Sequence, residues 1–185
     1  MNLTSARAFK QASIISFAVL MAACASPARI EQMQVDTPVG LRANIANPKL
    51  KENVAVKDVT GGSETNPLWK SNVGSTEFER ALENSLRSAG FLAAIRQGGL
   101  YQLVVFFQKL DQPMFGASLT VTATVQYTLV ERATGKNVFT QTISTPYTAA
   151  FGDALLATER LKLANEGAAR LNIQKLIEAL VQFKP

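Results

Sequence analysis

Few side chains in this sequence could do chemistry, and their spacing decides what kind. Cys24 is the only cysteine, and it closes the run Leu20-Met21-Ala22-Ala23-Cys24 at the end of the one long apolar stretch near the N-terminus. There is no histidine, so the commonest general base and metal ligand is missing. Carboxylates remain: Asp111 with Glu131 or Asp153 could form an acid–base pair, but nothing in their spacing brings them together, and solvated surface groups are the simpler reading. Val59-Thr60-Gly61-Gly62-Ser63 has the small residues of a phosphate-binding loop, yet it lacks the lysine and the full glycine spacing of nucleotide motifs, and reads as a plain connection. The pattern names no catalytic residue, no cofactor and no metal site, and the expectation is a protein that is not an enzyme.

Cys24 is placed by what precedes it. Arg7 and Lys10 form a positive start, and Ala12 to Ala23 an apolar run interrupted only by Ser13 and Ser16. That run is shorter than the roughly 20 apolar residues a membrane-spanning helix needs, and small Ala22 and Ala23 sit where a signal peptidase requires small side chains. Cleavage between Ala23 and Cys24 is expected. A buried free thiol, or a chance cysteine after an ordinary signal peptide, is the competing reading.

These residues resemble the bacterial lipobox, in which an aliphatic residue and two small residues precede a cysteine that is lipidated and becomes the new N-terminus. Met21 departs from the usual pattern, with leucine displaced to Leu20. The resemblance implies a lipoprotein acylated at Cys24, palmitate included. Ala25 and Ser26 lack the aspartate that retains such proteins at the inner membrane, which implies the outer membrane, with the body facing the periplasm. Several acyl chains on one residue make a stable anchor, since each buried methylene contributes about 0.8 kcal/mol and one chain alone binds reversibly. With no second cysteine, an intrachain disulfide is impossible, and stability must come from packing.

The 185 residues fit a signal peptide over 1–23, a tether over 24–52 carrying dispersed prolines, and one domain over 53–185. A composition of 47% hydrophobic and 18% charged residues suits a folded chain. Subtracting Arg7 and Lys10 from 19 basic residues leaves 17 against 14 acidic ones, a balance of +3 that is too mild for a nucleic-acid footprint.

The expected elements follow from periodicity. A brief strand over 30–35 could edge the tether. Val54, Val56 and Val59 mark a strand over 53–60, ended by Gly61-Gly62. Trp69, in the polar connection that follows, reads as a ring capping one edge of the core. Thr76 to Ala89 reads as a helix, with Thr76 as N-cap, Glu79 as its capping-box partner, a Glu83–Arg87 pair and Gly90 as the stop. The apolar run in 100–110 reads as a central strand. From Ser118 to Val130 apolar residues alternate with Thr120, Thr122, Thr124, Gln126 and Thr128, which gives a strand with one dry and one wet face. Thr134-Gly135 turns the chain into a strand over 137–145. The stretch 153–183 reads as a long helix, with Gly167 a candidate kink. The expected fold is α+β: an antiparallel sheet of about four strands with two helices on one face, in the order β-α-β-β-β-α.

The row Thr120, Thr122, Thr124, Gln126 and Thr128 reads first as the solvated side of a half-buried sheet, and second as a candidate docking face for another β element or a lipid. The element order after a lipidated cysteine resembles small envelope lipoproteins of Gram-negative bacteria, including the lipopolysaccharide-assembly lipoprotein family. That resemblance implies a noncatalytic protein, anchored to the membrane by Cys24, that binds an envelope protein or a lipid. An envelope enzyme acting on lipid A or cell-wall precursors is the competing class, but the histidine and hexapeptide repeats of the relevant acyltransferases are absent. A purely structural envelope lipoprotein is the third.

Overall fold

A computed structural model describes residues 25–38, 44–66 and 71–184. Arg7, Lys10, the run to Ala23, Cys24 and Trp69 lie outside the described residues. Four strands form one sheet in the order β1-β2-β3-β4: β1 (Val54–Gly61), β2 (Tyr101–Asp111), β3 (Leu119–Glu131) and β4 (Asn137–Ala149). Their alternation decides the packing. Leu103, Val105 and Phe107 of β2, with Val121, Ala123, Val125, Tyr127 and Leu129 of β3, point to one face and are buried there.

Among the described residues, helices cover only that face. Helix α1 (Ile30–Met33) is a single turn, α2 (Ser75–Ser88) lies over β1, and α3 (Ala157–Gln182) lies over β3 and β4. Phe78 of α2 meets Phe107 of β2 edge to face, with ring centroids 5.0 Å apart. The α+β class, the strand count and the element order are as the periodicity indicates. One pairing differs from a fully antiparallel sheet: β1 and β2 run parallel, Val54 opposite Tyr101 and Gly61 opposite Phe107, because α2 carries the chain back to the starting end.

Local signals explain most boundaries and some differences. The stop of α2 is a Schellman turn in which Gly90 adopts φ 78°, Phe91 N–H donates to the Leu86 carbonyl at 2.9 Å and Gly90 N–H to that of Arg87 at 3.1 Å. Its start differs from expectation. The N-cap is Gly74, Thr76 lies inside the first turn, and Glu79 pairs with Arg96 rather than closing a capping box. Arg87 donates to Asn84 rather than pairing with Glu83. β4 continues past Thr145 through Pro146 to Ala149, which an outermost strand allows because the missing N–H faces no neighbour. α3 runs as one continuous helix through Gly167.

The segment expected to be a tether is packed in its described parts. Residues 30–33 form a helical turn, not a strand, and Ala28, Met33, Ile45 and Leu50 join the core. Arg29 clamps it to α3: its backbone N–H donates to Glu166 at 2.8 Å, and its guanidinium at 2.9 and 2.8 Å. The Glu166 hydrogen bond holds the Arg29 pKa above its ordinary value. Val35 N–H donates to Ser85 Oγ and Thr37 N–H to Ser88 Oγ, both at 2.9 Å, fixing the segment along α2.

Candidate functional site

The wet side of β3 stands where no helix of the described residues reaches. Thr120, Thr122, Thr124, Gln126 and Thr128 are exposed or half-buried there, opposite Thr148, Pro146, Ser144, Thr142 and Thr140 of β4. Hydroxyls pair across the strands, Thr120 with Thr148 at 2.8 Å and Thr124 with Ser144 at 3.1 Å. On the β2 side Gln126 lies opposite Phe106, whose ring is half exposed. Lys109 and Asp111, on the far stretch of β2, pair with each other at 2.7 Å. Hydroxyls bonded to hydroxyls, beside one exposed ring, supply adhesion and hydrogen bonds and no activated nucleophile.

The carboxylates that could have made an acid–base pair are kept apart. Asp111 lies opposite Thr122 and Glu131 opposite Tyr101, which places them at opposite ends of the β2–β3 pair, about 30 Å apart at the usual strand rise. Asp153 shares an end with Asp111, but its Oδ2 accepts the Ala150 N–H at 2.8 Å and caps a turn. Gly61 and Gly62, with φ 78° and 73°, end β1: Gly62 N–H donates to the Phe107 carbonyl at 3.1 Å, so this stretch closes a strand and cradles no phosphate. No group of three or more metal-ligating side chains occurs among the described residues. A cleft of about 420 Å³ lined by Gln32, Tyr147, Glu166 and Arg170 has as its carboxylate only Glu166, already spent on Arg29, and Asp153.

Sequence reasoning missed the interior polar groups of α3. Asn172 is fully buried, and its amide donates to the carbonyls of Ala123 at 3.1 Å and Ile143 at 2.9 Å and to Thr145 Oγ1 at 3.1 Å. Its oxygen accepts the Tyr127 hydroxyl at 2.8 Å, and Thr145 Oγ1 donates on to the Ala168 carbonyl at 2.9 Å. Burial pushes the Tyr127 phenol well above its ordinary pKa. One turn-pair earlier, Asn165 donates to the Ser71 carbonyl and accepts from Gln112, both at 2.8 Å. The available signal was two asparagines seven residues apart within the apolar stripe, which places them on one helix face. The Asn172, Tyr127 and Asn165 side chains all bond to groups of the chain itself, so the network fixes α3 on the sheet, with the buried Gln112 Oε1 left unpaired at its edge.

No family model matches the sequence, and no curated protein is significantly similar to it. Solved structures are similar in fold. A DUF330-family protein from Xanthomonas campestris superposes with a TM-score of 0.55 at 13% identity, over 73% of this chain and 88% of that one. A Caulobacter crescentus protein provisionally assigned as a lipoprotein gives 0.51 at 13% identity, over 80% of this chain and 99% of that one. A minor lipoprotein from Acinetobacter baumannii gives 0.45 at 14%, over 58% and 87%. At these identities the first two likenesses establish architecture alone: the chain has the α+β fold of solved bacterial proteins, one of which bears a lipoprotein name.

Proposed function

We propose that this protein is a noncatalytic lipoprotein of a bacterial envelope, anchored in the outer membrane through acylated Cys24, whose open sheet face docks an envelope protein or a lipid. The observation that carries the docking role is the contrast across β3: one face is sealed by two helices, while Thr120, Thr122, Thr124, Gln126 and Thr128 form an ordered, uncovered row. The leader pattern ending at Cys24 supports the anchor, as does the lipoprotein name of the Caulobacter protein with this fold. The absence of histidine from the whole sequence weighs against the acyltransferase class. A part in lipopolysaccharide assembly is the narrower form of this reading and rests on element order.

A photo-cross-linking residue at Thr124 or Gln126 in intact envelopes tests it. Capture of a defined protein or lipid from both positions, and not from Thr134 in the turn at the other end, is the expected result. No capture from either position, with Cys24 acylated, removes the docking role.

A further inference from the structure

One end of the sheet carries apolar side chains that none of the described residues buries. Met114 is 95% exposed and Phe115 90% in the connection from β2 to β3, and Leu155 is 86% exposed beside half-exposed Leu156 and Phe151 in the connection from β4 to α3. The register puts both connections at the same end, since Leu119 opens β3 opposite Ala149, which closes β4. At the opposite end the turn from Arg132 to Lys136 is polar; the large apolar side chains exposed there are the aliphatics Ile95 and Leu100, at 64% and 49%, and Leu100 shares a shallow hollow with Lys49, Glu131 and Arg132. Isolated exposed aliphatics are ordinary, whereas five large apolar side chains, two of them aromatic, gathered at one end are not.

The cluster is held in place. Arg160, nearly fully buried, donates to the carbonyls of Ala154 at 2.7 Å and Leu155 at 2.9 Å, and its guanidinium lies 5.0 Å from the centroid of the Phe151 ring. Those bonds fix the backbone that presents Leu155 and Leu156.

The described chain begins at this same end. Ser26 accepts from Ser71 Oγ at 2.8 Å through its carbonyl and from Lys162 Nζ at 2.9 Å through its hydroxyl. The Ser71 carbonyl in turn accepts from Gln112, two residues before Met114, at 2.8 Å, and from Asn165 at 2.8 Å. Ala25 is buried. Cys24 immediately precedes Ala25 in the sequence, joined to it by one peptide bond. An acylated Cys24 therefore brings lipid to this end, while the far end of β3 is about 40 Å away at the usual strand rise.

We infer that the end bearing Met114, Phe115, Leu155 and Leu156 rests in the surface of the bilayer beside the anchor, so that the protein is oriented on its membrane and does not swing from it. The inference rests on acylation of Cys24. Side chains of this kind enter the headgroup and upper acyl region to a depth of about 5–10 Å. β3 then projects away from the lipid and the open threonine face stands roughly upright, accessible from the side.

The test uses the full chain purified from membranes and reconstituted in phosphatidylethanolamine–phosphatidylglycerol vesicles. Phe115→Cys, Leu155→Cys and, as control, Thr134→Cys each receive one environment-sensitive fluorophore, and nitroxide-bearing phospholipid is the quencher. Emission at 115 and 155 is expected to be roughly halved or more, with position 134 unaffected, as shallow interfacial insertion requires. Equal, weak quenching at all three positions with acyl mass present on Cys24 overturns the inference and leaves the anchor standing. An unmodified Cys24 by mass spectrometry overturns the anchor itself, and with it the orientation argued here. A blue shift at 115 and 155 without vesicles, growing with protein concentration, assigns the end to a second copy of the chain and also overturns it.

Discussion

Two regions of this molecule break the usual rule of apolar inside and polar outside, and they break it in opposite senses. In the core, Asn172, Tyr127, Thr145 and Asn165 are polar groups where packing alone would place hydrocarbon. At one end of the sheet, Met114, Phe115, Leu155 and Leu156 are hydrocarbon where solvation alone would place polar groups. The first exception is resolved within the chain, because each asparagine amide and the Tyr127 hydroxyl find partners at 3.1 Å or less. The second has no resolution among the described residues. An anomaly satisfied internally reads as structure, and one left unsatisfied points to something outside the molecule.

The sharpest way to break that comparison is to remove the hub of the satisfied region. Asn172→Ala orphans the Tyr127 hydroxyl, takes one donor from each of two strand carbonyls and opens a small cavity between α3 and β3. An unsatisfied buried polar group costs about 1–3 kcal/mol, and the loss here is expected at about 3–4 kcal/mol in a denaturant titration. A loss below about 1 kcal/mol would mean that water already serves these groups and the interior is not the sealed region described.

A smaller effect comes from the phenol alone. Tyr127→Phe leaves the Asn172 oxygen without its donor, at a cost of about 1–3 kcal/mol near neutral pH. Its pH dependence is more specific. Burial raises the folded-state pKa of Tyr127 well above the ordinary value of about 10 that applies unfolded. The stability linked to the group is therefore fully present below that ordinary value. It is lost as pH rises beyond it, because the unfolded chain releases a proton that the folded one retains, with a slope up to about 1.4 kcal/mol per pH unit. Melts from pH 9 to 11 should fall more steeply for the natural protein than for the Phe variant, and parallel curves would remove Tyr127 from the sealed interior.

What the sequence made legible were features with local causes. The alternation from Leu119 to Leu129 fixed β3 and its wet face, and Gly90 fixed the end of α2, because period-two burial and a left-handed stop are written in consecutive residues. Illegible features have causes far along the chain. Arg29 reaches Glu166 across 137 positions, so the packing of residues 25–38 gave no local sign, and the prolines there suggested a tether instead. β1 runs parallel to β2 because of the path of α2, which no strand pattern records. Of the candidate docking face, the residues and their common side were readable, while the β4 hydroxyls opposite them emerged only with the register. The apolar end was hidden because its two loops are separated by about thirty residues, and neither alone forms a patch.

Gly167 lies where the two regions meet, and it carries the smallest of these effects. The ring of Tyr147, three residues before β4 enters the apolar end, lies directly against the α3 backbone at Gly167, so closely that an added Cβ would fall inside the ring's van der Waals envelope. The glycine thus serves a close approach and not a bend. Two terms compete in Gly167→Ala. Helix propensity favours alanine by about 1 kcal/mol, while displacing the ring strains β4 by about 1–3 kcal/mol, as overpacking usually does. Tyr147 is 39% exposed and can swing outward, which keeps the cost near the middle of that range, about 2 kcal/mol, so a net loss of about 1 kcal/mol is expected. In a Tyr147→Ala background the ring is gone and only propensity remains, so the same substitution should then stabilise by about 1 kcal/mol. That reversal of sign in a double-mutant cycle would show that the ring, and not helix geometry, requires the glycine. The same sign in both backgrounds would detach Tyr147 from α3 and loosen the boundary between the sealed interior and the exposed end.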